Sequence, residues 1–297
     1  MSPTITIAVC TRDRAEILGQ ALAALRAEVG GAPGVEVLVV DNGSTDGTAV
    51  LLAESNVRAV MEPVPGLSAA RNRALAETGA DWIVYLDDDA FVWPGWLAAL
   101  RGAVAREGVV LAGGPIEPRF PEPPPAWFDP ASVRRTFGPE GPLSDSAARR
   151  GFSGGNLAVR RDALAAVGGF DPALGMVAGR LGLGEETELA GRLFDRFGNA
   201  TWHAPAMGVD HLEPAWKQRP GYVARRAFVN GRQAWRYADG GRARQAGFSA
   251  LKAGKQLAEG MARLAGALVQ RRRLHGAIRG LATGAGAAVG VVRALRG

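Results

Sequence analysis

The chain has 297 residues, of which 47% are hydrophobic and 22% charged, a globular composition that excludes disordered and collagenous classes. Cys10 is the sole cysteine, which excludes an internal disulfide framework and a multi-cysteine zinc site. The net charge of +6 divides unevenly: residues 1–214 carry −9, whereas residues 215–297 carry +15 with only Asp239 and Glu259 as acids. So sharp a break predicts a boundary near Pro214 and two different electrostatic tasks.

Thr4 to Cys10 is short and rich in β-branched residues, as a buried strand is. Arg12, Asp13 and Arg14 interrupt that apolar run at once, so it does not read as a signal peptide. A helix over Ala15 to Val29 follows, then a strand over Val35 to Val40, a short helix over Asp46 to Glu54 and a strand over Val57 to Met61. A helix over Leu67 to Glu77 and a strand over Asp81 to Leu86 come next. Pro94 is placed to open a helix over Gly95 to Arg106, ahead of a strand over Val109 to Ala112. Alternation of this kind predicts a mostly parallel sheet with helices on both faces. Pro115 to Pro130 holds seven prolines and suits neither a regular helix nor a central strand. Beyond it the pattern predicts a strand ending at Arg160, a short helix, a glycine-punctuated loop from Gly168 to Gly184, a helix over Glu185 to Phe197 and short strands to His211. No apolar run reaches the ~18–20 residues of a membrane-spanning helix, so a soluble or peripheral protein of a reducing compartment is expected.

Three of the expected strands end in polar clusters: Thr11 to Arg14, Asp41 to Gly47, and Asp87 to Asp89. Ligands of open α/β sheets bind beyond the C-terminal ends of strands, so folding would gather these clusters at one edge. Three adjacent carboxylates repel one another, and a hard divalent cation such as Mg²⁺ or Mn²⁺ is the natural partner for them. A solvated acidic turn that caps the next helix is the competing account. No Gly-x-Gly-x-x-Gly follows the first strand, which argues against a dinucleotide dehydrogenase, and the run Thr11 to Arg14 lacks the glycine-rich loop of a nucleotidyltransferase.

From Ile5 to His211 the ordered segments TIAVCTRDRAEIL, VEVLVVDNGSTDGT, PGLSAARNRAL, WIVYLDDDA, FSGGNLAVRRDALAAVGGFD, GLGEETELAGRL and MGVDHLEP resemble the family 2 glycosyltransferases of GT-A fold. The resemblance implies an inverting, metal-dependent transfer of a sugar from a nucleotide-diphosphate donor to a glycan or lipid-linked saccharide, in polysaccharide or cell-surface glycan biosynthesis. It implies a catalytic domain over residues 1–214, with a donor half to about residue 113 and an acceptor half beyond it, followed by a basic helical extension over 215–297. Thr11, Arg12, Asp41, Arg71, Asp87 and Asp88 match nucleotide-binding positions. Asp87, Asp89 and His211 match positions that hold the Mn²⁺ or Mg²⁺. Gly154, Gly155 and Asn156 match the acceptor side, and Trp127 is placed there as a sugar-stacking ring. The base of the family is an aspartate in a Glu-Asp pair. This chain has Glu186 at that position, one methylene longer, and Glu185 is the alternative base.

In the extension, Leu257, Met261, Leu264 and Leu268 fall on one helical face, with Lys252, Lys255, Glu259 and Arg263 opposite. Basic amphipathic helices lie in anionic membrane interfaces, which predicts a protein at the cytoplasmic face of a membrane. An ordinary helix docked on its own protein is the equal alternative. Aromatic residues are too sparse among the arginines to suggest nucleic acid. A noncatalytic, membrane-associated scaffold that binds nucleotide sugars is the other functional class open to this sequence.

Overall fold

Valine and isoleucine dominate the runs read as strands, and their alternate side chains face two different cores. A computed structural model describes residues 2–177, 180–233, 242–267 and 272–296. In chain order come β1 (Ile5–Thr11), α1 (Ala15–Val29), β2 (Val35–Asp41), α2 (Thr48–Glu54), β3 (Arg58–Met61), α3 (Leu67–Glu77), β4 (Trp82–Asp87), β5 (Ala90–Val92) and α4 (Trp96–Val104). There follow β6 (Leu111–Gly113), β7 (Ile116–Arg119), α5 (Asp145–Ala148), β8 (Asn156–Arg160), α6 (Arg161–Ala166), α7 (Glu185–Phe197), β9 (Thr201–His203) and β10 (Val209–Leu212). Three long helices close the described chain: α8 (Pro220–Gln233), α9 (Arg242–Ala267) and α10 (Arg272–Arg296).

Seven strands form one sheet in the order β3-β2-β1-β4-β8-β6-β9. Its pairings are parallel except those of β8, which runs antiparallel to β4 and to β6. Ile5, Ile7, Val9, Val39, Val84 and Leu86 pack with Leu18 and Leu22 of α1 and Trp96 and Leu100 of α4. Their sequence neighbours Ala8, Leu38, Val40, Ile83 and Tyr85 pack on the other face with Ala70 and Ala74 of α3, Leu164 of α6, and Leu189 and Leu193 of α7. Period-2 side chains buried on both faces are what a helix-covered sheet requires.

Two boundaries differ from expectation for local reasons. Thr4 and Asp81 stand outside the strands because Thr4 donates from its backbone N and its Oγ1 to Asp81 Oδ2, each at 2.8 Å. Pro94 does not open a helix, since Gly95 adopts φ +82° and α4 starts at Trp96. In the proline-rich segment, Pro118 lies in β7 at the edge of a three-stranded sheet of order β5-β10-β7, where a missing N–H costs no central ladder bond.

The chain divides into two compact units. The first comprises Met1–Glu117, Arg134–Arg180 and Glu185–His211; the second comprises Pro118–Val133, Leu181–Gly184 and Leu212–Gly297. The charge break near Pro214 therefore falls inside a unit that also takes two earlier segments. Within the second unit, glycines let α10 lie directly on α8 and α9. A Cβ on Gly280 would stand 2.8 Å from Gly260 Cα, one on Gly284 2.6 Å from Leu257 Cγ, and one on Gly286 2.8 Å from Phe228 C. Leu257 thus packs on α10, whereas Leu251, Met261 and Leu264 are exposed; Leu268 lies outside the described residues.

Candidate active site

Strand register, rather than sequence proximity, assembles the site. Thr11 pairs with Asp41 across β1 and β2, and Cys10 pairs with Asp87 across β1 and β4, so the three polar strand ends meet at one edge. β5 begins immediately after Asp89, and β10 runs antiparallel to it with His211 opposite Ala90. That pairing brings the imidazole over the aspartates. His211 Nε2 lies 3.0 Å from Asp89 Oδ1 and 3.6 Å from Asp87 Oδ2. Asp210, one residue earlier, points the other way and accepts from Trp93 Nε1 at 2.9 Å.

One ligand atom each from Asp87, Asp89 and His211 falls within 4.8 Å of the others. Two carboxylates and an imidazole fit a divalent cation of the Mn²⁺ type, which combines oxygen ligands with tolerance for nitrogen. Asp88 plays a different part. Its carboxylate accepts from Thr11 Oγ1 at 2.7 Å and pairs with Arg14 at 2.7 Å. Burial pushes Asp88 up to about 7 although Arg14 opposes the shift. For Asp87 burial also acts upward, but the hydrogen bond from His211 and the charge of Arg71 outweigh it and hold the carboxyl below its ordinary range.

Deeper in the first unit, Arg71 of α3 is 3% exposed and joins two acids. Its Nη1 donates to Glu185 Oε1 at 2.9 Å, and its Nη2 stands 3.5 Å from Asp87 Oδ1. The guanidinium carbon lies 5.2 Å from the Phe170 ring centroid and 5.9 Å from that of Tyr85. Tyr85 OH donates to the carbonyl of Arg71 at 3.0 Å. Gly154 and Gly155 are required beneath this network. A Cβ on Gly154 would meet Arg71 Cζ at 2.6 Å, and one on Gly155 would meet Asp87 Oδ2 at 2.5 Å. Glu185 is buried and Glu186 half-buried in the first turn of α7, and an oxygen of each is buried without a hydrogen-bond partner among the described residues. Burial, then the neighbouring Glu186, pushes Glu185 up to about 8.

Residues 6–168, more than half of the chain, match the model of the family described as Glycosyl transferase family 2. The chain belongs to glycosyl transferase family 2. It is similar to the pre-mycofactocin glycosyltransferase of Mycobacterium tuberculosis, 27% identical over 240 residues that cover 77% of this chain and 47% of the relative. It is also similar to the N-acetylglucosaminyl-diphospho-decaprenol L-rhamnosyltransferase of the same organism, 32% identical over 213 residues that cover 60% of this chain and 66% of the relative. The chain thus spans about half the length of the first relative and about two thirds of the second. Among solved structures, a mannosyltransferase from Pyrobaculum calidifontis in complex with GDP-Man and Mn²⁺ superposes with a TM-score of 0.56 at 20% identity, covering 100% of this chain and 75% of that one. The expected α/β fold of GT-A type is observed.

Within this family 2 fold, Thr11, Asp41, Arg71, Asp87, Asp88, Asp89, His211, Glu185, Glu186, Gly154 and Gly155 gather at the sheet edge or in the acid–arginine network behind it. Asp41, whose Oδ1 accepts from Ser44 N at 2.9 Å, also lines an open cleft of about 470 Å³ with Leu52, Ala53 and Val57. One other placement needs correction. Asn156 is fully buried; its Nδ2 donates to Met207 O at 2.6 Å and its Oδ1 accepts from Trp96 Nε1 at 3.2 Å, so its amide serves the core and not an acceptor sugar. Trp127 belongs to the second unit, where its ring lies against Phe128 and His275. Arg12 pairs with Asp13 at 3.5 Å, while Arg14 stands 2.6 Å from Asp89 and 2.7 Å from Asp88. The arginine that sequence reasoning missed is the N-cap residue of α1.

Proposed function

We propose that the protein transfers a sugar from a nucleoside-diphosphate donor to a saccharide or lipid-linked hydroxyl with inversion at the anomeric carbon. The convergence of Asp87, Asp89 and His211, beside a first helical turn carrying Glu185 and Glu186, carries this reading. Thr11, Asp41 and Asp88 line the nucleotide side, with Arg12 next to Thr11 in the chain. Asp87, Asp89 and His211 would hold a divalent cation, which offsets diphosphate charge and stabilises the departing nucleoside diphosphate. Gly154 and Gly155 keep the floor of the site open. Glu186, one oxygen of which is buried without a hydrogen-bond partner among the described residues, takes the proton from the attacking hydroxyl. In the transfer, the hydroxyl oxygen bonds the anomeric carbon as the bond to the diphosphate oxygen breaks. The hydroxyl proton passes to Glu186.

Lipid-linked acceptors reside at membranes, and the second unit offers support for such a location. Its α9 exposes Phe248, Leu251, Met261 and Leu264 beside Lys255 and Arg263. No helix among the described residues is long and apolar enough to cross a membrane, so the proposed association is with the surface of an anionic leaflet on the cytoplasmic side. A panel of nucleotide sugars, assayed for acceptor-independent hydrolysis with Mn²⁺, tests the catalytic reading. One donor is expected to be hydrolysed by the wild-type chain and not by Asp89→Ala. Equal hydrolysis by both, or retained donor binding with no turnover on any acceptor, would overturn it, the latter in favour of a binding scaffold.

A further inference from the structure

Arg71 is a single buried cation with two acids on one guanidinium, and its two ties are unequal. The contact to Glu185 is a direct ion pair at 2.9 Å, whereas that to Asp87 is loose at 3.5 Å. Nothing in the packing frees the guanidinium to move elsewhere. Gly154 lies against it on one side, the Phe170 and Tyr85 rings flank it, and the backbone of Arg71 is held by Tyr85 OH. The guanidinium lies between its two acid partners, closer to Glu185 than to Asp87.

That difference in distance decides what Asp87 can do. A carboxylate engaged closely by an arginine forms a strong charge-assisted pair and has fewer oxygen lone pairs to offer a metal. A carboxylate with an arginine nearby but not docked stays ionised and keeps its oxygens available. We infer that Glu185 is a positioning residue: it tethers Arg71 at a distance from Asp87, and so preserves Asp87 as a ligand for the divalent cation while the bound guanidinium keeps it charged. This rests on the metal-binding reading above and assigns the two adjacent glutamates separate tasks. Glu186 handles the proton of the acceptor, and Glu185 acts on the donor side through Arg71.

The surrounding loop supports a fixed tether. Gly175 adopts φ +83° and passes so close that a Cβ there would stand 3.3 Å from the Glu185 carboxyl. Ser68 Oγ donates to Leu174 O at 2.9 Å, and the Asn72 amide exchanges two hydrogen bonds of 2.8 Å with the backbone of Phe170. These contacts bind the glycine loop to α3, the same helix that carries Arg71. Glu185 therefore meets an arginine whose helix and covering loop are locked together.

The test is calorimetric titration of the full chain with MnCl₂ in the absence of donor. Glu185→Gln removes the tether, lets Arg71 close on Asp87, and should weaken Mn²⁺ binding about tenfold, the lower end of what loss of a ligand-orienting partner costs. Glu185→Asp keeps the charge but is one methylene short, and should weaken binding equally. Glu186→Gln should abolish turnover and leave Mn²⁺ affinity as in the wild type. Wild-type Mn²⁺ affinity in both Glu185 variants overturns the inference while the function reading survives. Wild-type affinity in Glu185→Asp alone, with equal losses in Glu185→Gln and Glu186→Gln, overturns it in favour of a simple charge effect. No Mn²⁺ binding by the wild type overturns both readings. Should Glu185→Gln fail to fold, as judged by circular dichroism, Glu185→Asp alone decides the matter.

Discussion

The two units handle charge in opposite ways. In the first, Arg14 spans Asp88 and Asp89, Arg71 spans Asp87 and Glu185, and His211 covers Asp87 and Asp89. The result is a dense network in which Asp87, Asp88 and Asp89 each have at least two partners. In the second, cations face cations. Burial and then the nearby Arg226 lower Arg279 from its ordinary range, and burial and then Arg293 lower Arg232. Glycine contacts bring its helices together, and Leu251, Met261 and Leu264 stand exposed on α9 near Lys255 and Arg263. The contrast separates a region whose acids and cations are closely paired from one that carries a large excess of positive charge.

Three measurements would break or sharpen that contrast. The largest effect is expected from Gly154→Ala. Its Cβ would enter the space of the Arg71 guanidinium, and overpacking of this kind costs about 1–3 kcal/mol. Donor hydrolysis should fall by orders of magnitude and the melting temperature should drop; unchanged activity would show that the network is loose. Next is Leu251→Asp on α9, where the side chain is 75% exposed. Flotation with phosphatidylglycerol vesicles should fall about tenfold, since a buried apolar side chain contributes about 1.5–3 kcal/mol, while donor hydrolysis without vesicles stays intact. Unaltered flotation would remove the membrane from the account of the second unit.

The smallest effect concerns pH. Glu185 is pushed up to about 8 and Asp88 to about 7 in the folded chain, both above their ordinary carboxyl values. A raised acid favours the fold while protonated, so this contribution is complete below about pH 4 and is lost as pH rises through about 7 to 8. The melting temperature of the metal-free protein should therefore decline between about pH 5 and about pH 8. Glu185→Gln should flatten that slope, and an unchanged slope would place the titration elsewhere.

Much of the first unit was legible because its signals are local. Runs such as Ile5 to Cys10 and Trp82 to Leu86 are short and β-branched or aromatic, and the polar residues that end them are adjacent in sequence. Register then follows from the sheet, so Thr11, Asp41 and Asp87 could be placed together before any coordinates. What escaped was decided by rotation and by distant contact. Arg12 and Arg14 are equivalent by spacing, and only the angle at which α1 leaves β1 selects Arg14. Asn156 reads as a polar residue after two glycines, and its burial depends on Trp96 and Met207, far away in sequence. His275 Nδ1 accepts from Asp129 N at 2.8 Å, a contact across 146 residues that no periodicity reveals. In α9, the apolar stripe was visible, but not which part of it α10 would cover.

The reversed direction of β8 has a consequence for how the pocket tolerates change. Asn156 pairs with Leu86, so the segment just ahead of β8 arrives at the same rim that the parallel strands reach on departure. Gly154 and Gly155 are therefore an entrance ramp to their strand, not an exit. One residue inserted before Asn156 would displace the ramp by up to about 3.4 Å toward the cavity mouth, while an insertion after Arg160 would bulge at the opposite end of the sheet. Length variation among natural or engineered versions of this chain should be rare on the first side of β8 and common on the second.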